Sequence, residues 1–253
     1  MSQVVKAQQS DRQEFSWLAL AAMILTLFTI LTAIAAPVGS RIGMWNYDGA
    51  IGVLTWATYL AVAALILCVL GLIRSRPGSR YKGFLPCALG VLLLVPAIAI
   101  PVYWKNAKSG TPPIQDITTN TENPPEFWYA PNSRIYAGES VAVQQQEAYP
   151  DIKPYLSPLN RDQTFDLVVA VIEDFGWQLW EPSKEDGHVE ATQTTFWFGF
   201  SDDIAVHVTA QGEGSKVDVR STSRFGGGGD GGTNARRIRS LLQALDRRVQ
   251  AAR

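Results

Sequence analysis

Charged side chains are absent from three long stretches early in the chain: Phe15 to Ser40, Gly49 to Ile73 and Gly83 to Trp104, of 26, 25 and 22 residues. A helix crosses a hydrocarbon core of about 30 Å in roughly 20 residues. Each stretch is long enough to do so, and the pattern predicts transmembrane helices over about 17–38, 50–73 and 84–104. Pro86, Pro96 and Pro101 weaken the third, which is the one expected to kink. Proline is tolerated in membrane helices where neighbours re-satisfy the freed carbonyls. The small residues of "TAIAAPVG" leave open a cleaved signal peptide for the first stretch, although its apolar run exceeds the roughly 7–15 residues of a usual signal core.

After Lys105 the pattern changes. Residues 105–159, including "KSGTPPIQDITTNTENPPEFWYAPNSR", are rich in turn-formers and weakly periodic, which predicts a proline-rich tether whose "PPEFW" aromatics can dock onto a domain. Pro150, Pro154 and Pro158 forbid a long helix there. Regular structure is expected over 160–253. Phe165, Val168, Val169, Ile172 and Phe175 recur at helical spacing, with Asn160 or Asp162 as cap and Gly176 as terminator. "WQLWEP" and "HVEATQTTFWFGF" read as strands, and "DDIAVHVTAQ" and "KVDVRSTSR" alternate with period two around a "GEGS" turn, the signature of a hairpin. In the last segment Ile238, Leu241, Leu242, Leu245 and Val249 share one helical face, with arginines on its flanks and back. The predicted fold is therefore membrane-anchored α+β: three transmembrane helices, then a four-stranded antiparallel sheet packed by two helices.

Charge supplies an orientation. The loop between the second and third stretches carries Arg74, Arg76, Arg80 and Lys82, whereas the loop between the first and second carries only Arg41. The positive-inside rule puts the four-cation loop in the cytoplasm. The N-terminus, 1–16, is then cytoplasmic, and everything after Trp104 is exported, to the periplasm in a bacterium with an inner membrane. Trp45, Tyr47, Tyr103 and Trp104 suit an aromatic belt, and equally suit packing. Both cysteines, Cys68 and Cys87, fall inside the stretches, so the exported part has none. With only His188 and His207 besides, no metal site is expected.

"SKVDVRSTSRFGGGGDGGTNARRIRSLL", preceded by "FGFSDDIAVHV" and "QDITTNTENPPEF", resembles the family of domains of unknown function numbered 1499. Its members share a "DDxxVRV" strand, a "VDVRSxSRxGxxDxGxNAxRIR" ending and an upstream "TTDxxNPPxF"-like segment. The resemblance spans roughly Pro113 to Leu245 and excludes the apolar stretches. Three departures stand out: the glycine run before Asp230 is one residue longer than usual, Gly231 replaces a hydrophobic residue, and His207 stands in the place of an arginine. The resemblance implies a name and no activity.

Two clusters are candidate sites. Helix N-terminal amides near Thr233 and Asn234, with Arg224, Arg236 and Arg237, could bind an anion. The competing structural reading has Asp230 occupying those amides and pairing with Arg224. No lysine follows the glycines and the preceding strand is antiparallel, so neither a nucleotide loop nor a dinucleotide fingerprint fits and no cofactor is expected. The second cluster is a polar sheet face of Asp203, His207, Asp218 and Arg220, with Ser201, Ser221 or Ser223 as conceivable nucleophiles. No Gly-x-Ser-x-Gly elbow accompanies it, and cross-strand polar pairs on a solvated or partner-facing sheet explain it equally.

Residues 105–232 hold 9 basic and 19 acidic side chains, and 233–253 hold 6 and 1. An exported half of net charge −5 is a poor nucleic-acid binder. The expected partners are the lipid bilayer and an envelope protein. The sequence points to a non-enzymatic interaction or assembly module of the cell envelope. A small-molecule, anion or lipid-binding domain is the alternative, and a hydrolase the third reading.

Overall fold

The computed structural model describes residues 14–132, 135–226 and 228–253. Most of the N-terminus expected to be cytoplasmic, 1–13, lies outside the described residues, as does Gly227 of the glycine loop. The chain divides into two compact units, Met1–Lys105 and Asn106–Arg253.

In the first unit the three apolar stretches are helices: α1 (Trp17–Arg41), α2 (Tyr47–Arg74) and α3 (Phe84–Ser109). Ser16 caps α1 by accepting from the Ala19 N–H at 3.4 Å, and Asn46 caps α2 by accepting from Gly49 at 3.0 Å. Pro37 lies within α1, and Pro96 and Pro101 within α3, which is continuous through both. The first two-residue strands, β1 (Glu14–Phe15) and β2 (Tyr81–Lys82), pair in parallel beside the helix ends. All three helices are long and apolar enough to cross a membrane. Their burial is inverted relative to a soluble bundle. Small side chains fill the inside, among them Ala19, Ala22, Ala61, Ala64, Cys68 and Cys87, while Phe28, Leu31, Ile66, Leu92 and Leu93 face outward. Lipid solvates large apolar side chains, so helices in it associate through small residues that let backbones approach.

The second unit is an α+β domain built on a six-stranded antiparallel sheet. Its strands are β3 (Asp116–Thr118), β4 (Tyr155–Ser157), β5 (Gln178–Leu179), β6 (His188–Thr194), β7 (Ser201–Gln211) and β8 (Gly214–Ser223), in the order β3-β8-β7-β6-β5 with β4 also on β8. The expectation of four strands is corrected here. β3 and β4 both come from the segment expected to be a tether, and they share the outer edge of β8, at Arg220–Thr222 and Ser215–Val217 respectively. A long edge strand presents unpaired N–H and C=O groups, and two short strands complete them. A further helix, α4 (Glu139–Ala148), lies between these strands in sequence. Its Gln145 is buried and bonds both ways with β3, accepting from the Thr118 N–H at 2.9 Å and donating to the Thr118 carbonyl at 2.7 Å.

The two helices α5 (Arg161–Asp174) and α6 (Thr233–Ala251) pack on one sheet face. Phe165, Val168, Val171 and Ile172 meet Ile238, Leu241, Leu245 and Val249 above Val189, Ala191, Ile204, Val206, Val208, Val217 and Val219. The expected hairpin is β7–β8, with Val206 opposite Val219 and Val208 opposite Val217. Asn160 caps α5 by accepting from Gln163 N–H at 2.9 Å, and Phe175 leaves the stripe to stack on Trp177. The β-rich run "HVEATQTTFWFGF" is a strand only to Thr194, and its aromatic end forms the turn into β7.

Candidate functional site

Strand alternation that sends Val189, Ala191, Ile204 and Val206 towards the helices sends His188, Glu190, Thr192, Asp203, Asp218 and Arg220 to the opposite face. That face is not solvated. Asp203 and Glu190 are 0% exposed and Arg220 is 1% exposed. The covering layer is the "PPEFWYAPN" stretch, whose Phe127 is fully buried and packs with Ala130, Ala205 and Trp180.

Buried charge demands partners, since an unpaired ion in low dielectric is costly. Glu190 accepts from the backbone N–H groups of Trp128 (a very short contact), Tyr129 (3.2 Å) and Ala130 (2.8 Å), and its Oε1 lies 2.7 Å from His188 Nε2. His188 in turn stacks on Trp128 at 3.8 Å. Burial pushes the Glu190 carboxyl up, but His188 and the three amides outweigh it and hold the group below the usual range. Asp116 takes Arg220 in a two-pronged pair, Nε–Oδ1 at 2.9 Å and Nη2–Oδ2 at 2.8 Å. The same guanidinium donates to the Pro125 and Ile135 carbonyls, at 3.3 Å each, and lies over the Phe127 and Tyr136 rings. Burial, and then the Asp116 charge, push the Tyr136 hydroxyl up to about 12.

Asp203 is gripped by Arg224 at 2.7 and 2.8 Å, by the Thr192 hydroxyl at 2.6 Å and by Asn132 Nδ2 at 3.1 Å. Asp218 pairs with Lys216 at 2.8 Å and receives Asn120 Nδ2 at 3.4 Å. His207 stands opposite Asp218 in the register, yet its Nε2 meets the Asp186 carbonyl at 3.1 Å. The expected quartet of Asp203, His207, Asp218 and Arg220 thus shares one face while each member engages a different partner. Among the described residues no three His, Cys, Asp or Glu side chains gather as a metal ligand set. Ser221 is buried and donates to Asn234 Oδ1 at 2.7 Å while accepting from Arg237. A nucleophile needs a base and access, and this hydroxyl serves the packing of α6.

The glycine loop follows one half of the structural reading, with Asp230 on the helix amides, and departs from the other, with Arg224 paired elsewhere. Asp230 Oδ1 accepts from the Gly232 N–H at 2.8 Å, and Oδ2 from the Asn234 N–H at 2.5 Å. Gly232 has φ +75°, a left-handed conformation that a side chain resists, and it leads into α6. The chain's own carboxylate therefore sits where an anion would bind. Arg224 does not join it, being committed to Asp203. Arg236 turns back to the Gly231 carbonyl at 2.9 Å and Thr233 Oγ1 at 3.1 Å, and Thr233 donates to the Asp230 carbonyl at 2.8 Å. Arg237 is buried against Asp202, at 2.5 Å, and Gln193, at 2.6 Å. Asn234 ties the helix to the entry strand by donating to the Gln115 carbonyl at 2.8 Å.

The residues that sequence reasoning missed are Glu190, His188, Asp116, Asp202 and Trp128. The available signal was the alternation of His188, Glu190 and Thr192 against Val189 and Ala191, which places three polar groups on a face without a helix.

The model of the family described as "Protein of unknown function (DUF1499)" matches residues 116–245, from the start of β3 into α6. No curated protein matches the chain. Among solved structures, the crystal structure of Ara h 8.0201 is similar at 14% identity, over 39% of this chain and 95% of that chain, with a TM-score of 0.32. A likeness at that level carries no argument about fold or function.

Proposed function

The chain belongs to the DUF1499 family, and from that premise we propose that it is a membrane-anchored protein presenting its family domain as a non-enzymatic interaction or assembly module of the cell envelope. The observation that carries this reading is the state of the buried polar face. Glu190, Asp203, Asp116 and Asp218 are each engaged by amides, arginines, lysine or hydroxyls of the same domain. A catalytic carboxylate keeps a lone pair within reach of substrate, whereas Glu190, Asp203 and Asp218 bind the 119–132 segment to the sheet and Asp116 ties β3 to β8 through Arg220.

The inverted burial of the three helices supports membrane anchoring. The cluster of Arg74, Arg76, Arg80 and Lys82 supports a cytoplasmic α2–α3 loop, and with it an exported domain, periplasmic in a bacterial inner membrane. An alkaline phosphatase fusion after Arg253 should be active and a cytoplasmic reporter there silent; the reverse result removes the envelope placement. Purification of the full chain in several mild detergents should retain a stoichiometric envelope partner. A lone monomer in all of them would count against an assembly role.

A further inference from the structure

The three apolar helices share one end of their unit. α1 begins there at Trp17, α2 ends at Arg74 and α3 begins at Phe84. The short β1–β2 pair fixes that end: Phe15 stands opposite Lys82 in the register, the Glu14 N–H donates to the Arg80 carbonyl and the Ser16 N–H to the Lys82 carbonyl, each at 3.1 Å. A cavity of about 400 Å³ opens here, lined from β1, the α2–α3 loop, β2 and the first turn of α3. Its lining combines two chemistries. Arg76 and Lys82 bring charge, and Phe15, Phe84 and Leu85 form an exposed apolar wall.

The charge at this end is one-sided. Arg74 and Arg80 both lie over the Tyr81 ring, at 4.1 and 4.9 Å, and Arg80 also donates to the Tyr81 hydroxyl at 2.7 Å. An uncharged ring that lines the cavity thus holds two guanidiniums beside it. Across residues 14–16 and 74–86 the only acid is Glu14, against Arg74, Arg76, Arg80 and Lys82. Residues 1–13, outside the described part, add Lys6, Arg12 and Asp11, which leaves the balance positive. The opposite end of the helices carries a mixed set, Arg41, Asp48 and Lys105. Like charges gathered around a low-dielectric wall make a field that an anion relieves.

We propose that this cavity binds an anionic phospholipid, with the headgroup phosphate at Arg76 and Lys82 and the acyl chains along Phe15, Phe84 and Leu85. The proposal rests on the membrane reading above, whichever side of the membrane the loop faces. A soluble anion would use the cations and leave the apolar wall idle, and a neutral lipid would use the wall and leave the cations idle. An anionic phospholipid answers both. The cavity stands where the helices leave the hydrocarbon, which is the depth at which a phospholipid carries its phosphate, and basic pockets between membrane helices take such headgroups. Arginine offers phosphate a planar fork of donors and lysine a compact charge. Loop cations that served only to orient the chain would need no apolar wall beside them.

The test uses the full chain in mild detergent, with native mass spectrometry counting the lipids retained from equal additions of phosphatidylglycerol and phosphatidylcholine. The unsubstituted chain should retain phosphatidylglycerol several-fold better, and equal retention overturns the proposal. Arg76→Gln with Lys82→Gln should weaken that retention roughly thirtyfold, the loss of two cations near a headgroup. Arg41→Gln with Lys105→Gln removes the same charge from the opposite end and should leave it unchanged. The arginine-rich α6, with 6 basic residues and 1 acidic over 233–253, is intact in both variants. Retention that survives the first pair therefore places the lipid elsewhere, and a loss equal in both makes the attraction a general one; either result overturns the site. Leu85→Ser keeps every cation and alters only the wall, so it should also weaken phosphatidylglycerol several-fold, and an unchanged value is contrary. Glycerol 3-phosphate in millimolar excess should not displace the lipid; displacement assigns the cations to a soluble anion and overturns the lipid. A chain that stays in solution without detergent refutes the membrane reading itself, whereas one that needs detergent and takes both lipids alike refutes only the site.

Discussion

His188 Nε2 lies 2.7 Å from Glu190 Oε1 on the face of β6 turned away from α5 and α6, and both side chains are buried. The carboxylate also collects three consecutive backbone N–H groups, from Trp128 to Ala130. The middle of a segment that reads as an extended tether is thereby fastened to the sheet by one buried carboxylate, beside the contacts of Asn120 with Asp218 and Asn132 with Asp203. The fastening is electrostatic at its centre and apolar around it, through Phe127 and the Trp128–His188 stack.

Replacing that charge should loosen the segment. Glu190→Gln keeps the shape but turns one acceptor oxygen into an NH2 group that faces donors, a loss of about 2–4 kcal/mol. The folded-state pKa of Glu190 is lowered, so its contribution is fully present above the ordinary value near 4.5 and is lost as pH falls through the lower folded value. Unfolding of the full chain in detergent should show a lower midpoint at neutral pH and a flattened acid limb. Hydrogen exchange should rise first at residues 128–130. An unchanged acid limb would remove Glu190 as the fastening group.

The Arg220–Asp116 pair should be the costlier one to break from one side. Arg220→Ala leaves Asp116 buried without its two-pronged partner and takes support from the Phe127 and Tyr136 rings. A one-sided break of such a pair costs about 3–5 kcal/mol. Changing both together, to Arg220→Met with Asp116→Leu, should recover part of the loss, because no charge is then stranded. Thermal melts of the two variants side by side test this, and a double variant no better than the single one contradicts it.

These two networks mark what could and could not be read from the sequence. The apolar helices were legible because more than twenty uncharged residues in a row have few alternatives, and α5, α6 and the β7–β8 hairpin because their periods persist over several turns or pairs. Asp116–Thr118 and Tyr155–Ser157 were not, since three residues carry no period and prolines nearby suggest a loop. Their pairing is decided by the open edge of β8, a hundred residues away for Asp116 and Thr222 in round terms of sequence distance. The partners of Glu190 were hidden for another reason: they are backbone amides, which have no residue identity to recognise. In the glycine loop the residence of Asp230 at the amides was legible, and the choice of Arg224 for Asp203 was not.

A backbone test of the same domain is available at Gly187, which precedes β6 at φ +70°. A Cβ there would lie 2.2 Å from the Val208 carbonyl oxygen, which accepts no such approach. The left-handed conformation alone costs a side chain about 1–3 kcal/mol. Gly187→Ala should exceed that range because the clash is with backbone, and it should displace the Val208 N–H to Gly187 bond at 2.8 Å. Denaturant unfolding and amide exchange at Val208 measure both effects. A near-neutral variant would mean that the β6–β7 edge can shift freely.

Asp230 offers the clearest division between a turn and an anion site. Its two oxygens accept from Gly232 and Asn234, the first donors of α6, in the manner of a capping side chain placed two residues early. Asp230→Ala should cost about 1–2 kcal/mol, the usual range for a lost cap. It also exposes the amides to solvent with Arg236 beside them, so the variant is where latent anion binding would emerge. Thermal shifts with inorganic phosphate separate the readings. A structural turn predicts a lower melting point for the variant and no phosphate-dependent shift in either protein. A phosphate-dependent rise in the unsubstituted chain would mean that the carboxylate yields to an external anion. A rise confined to the variant would mean that Asp230 acts to keep the site closed.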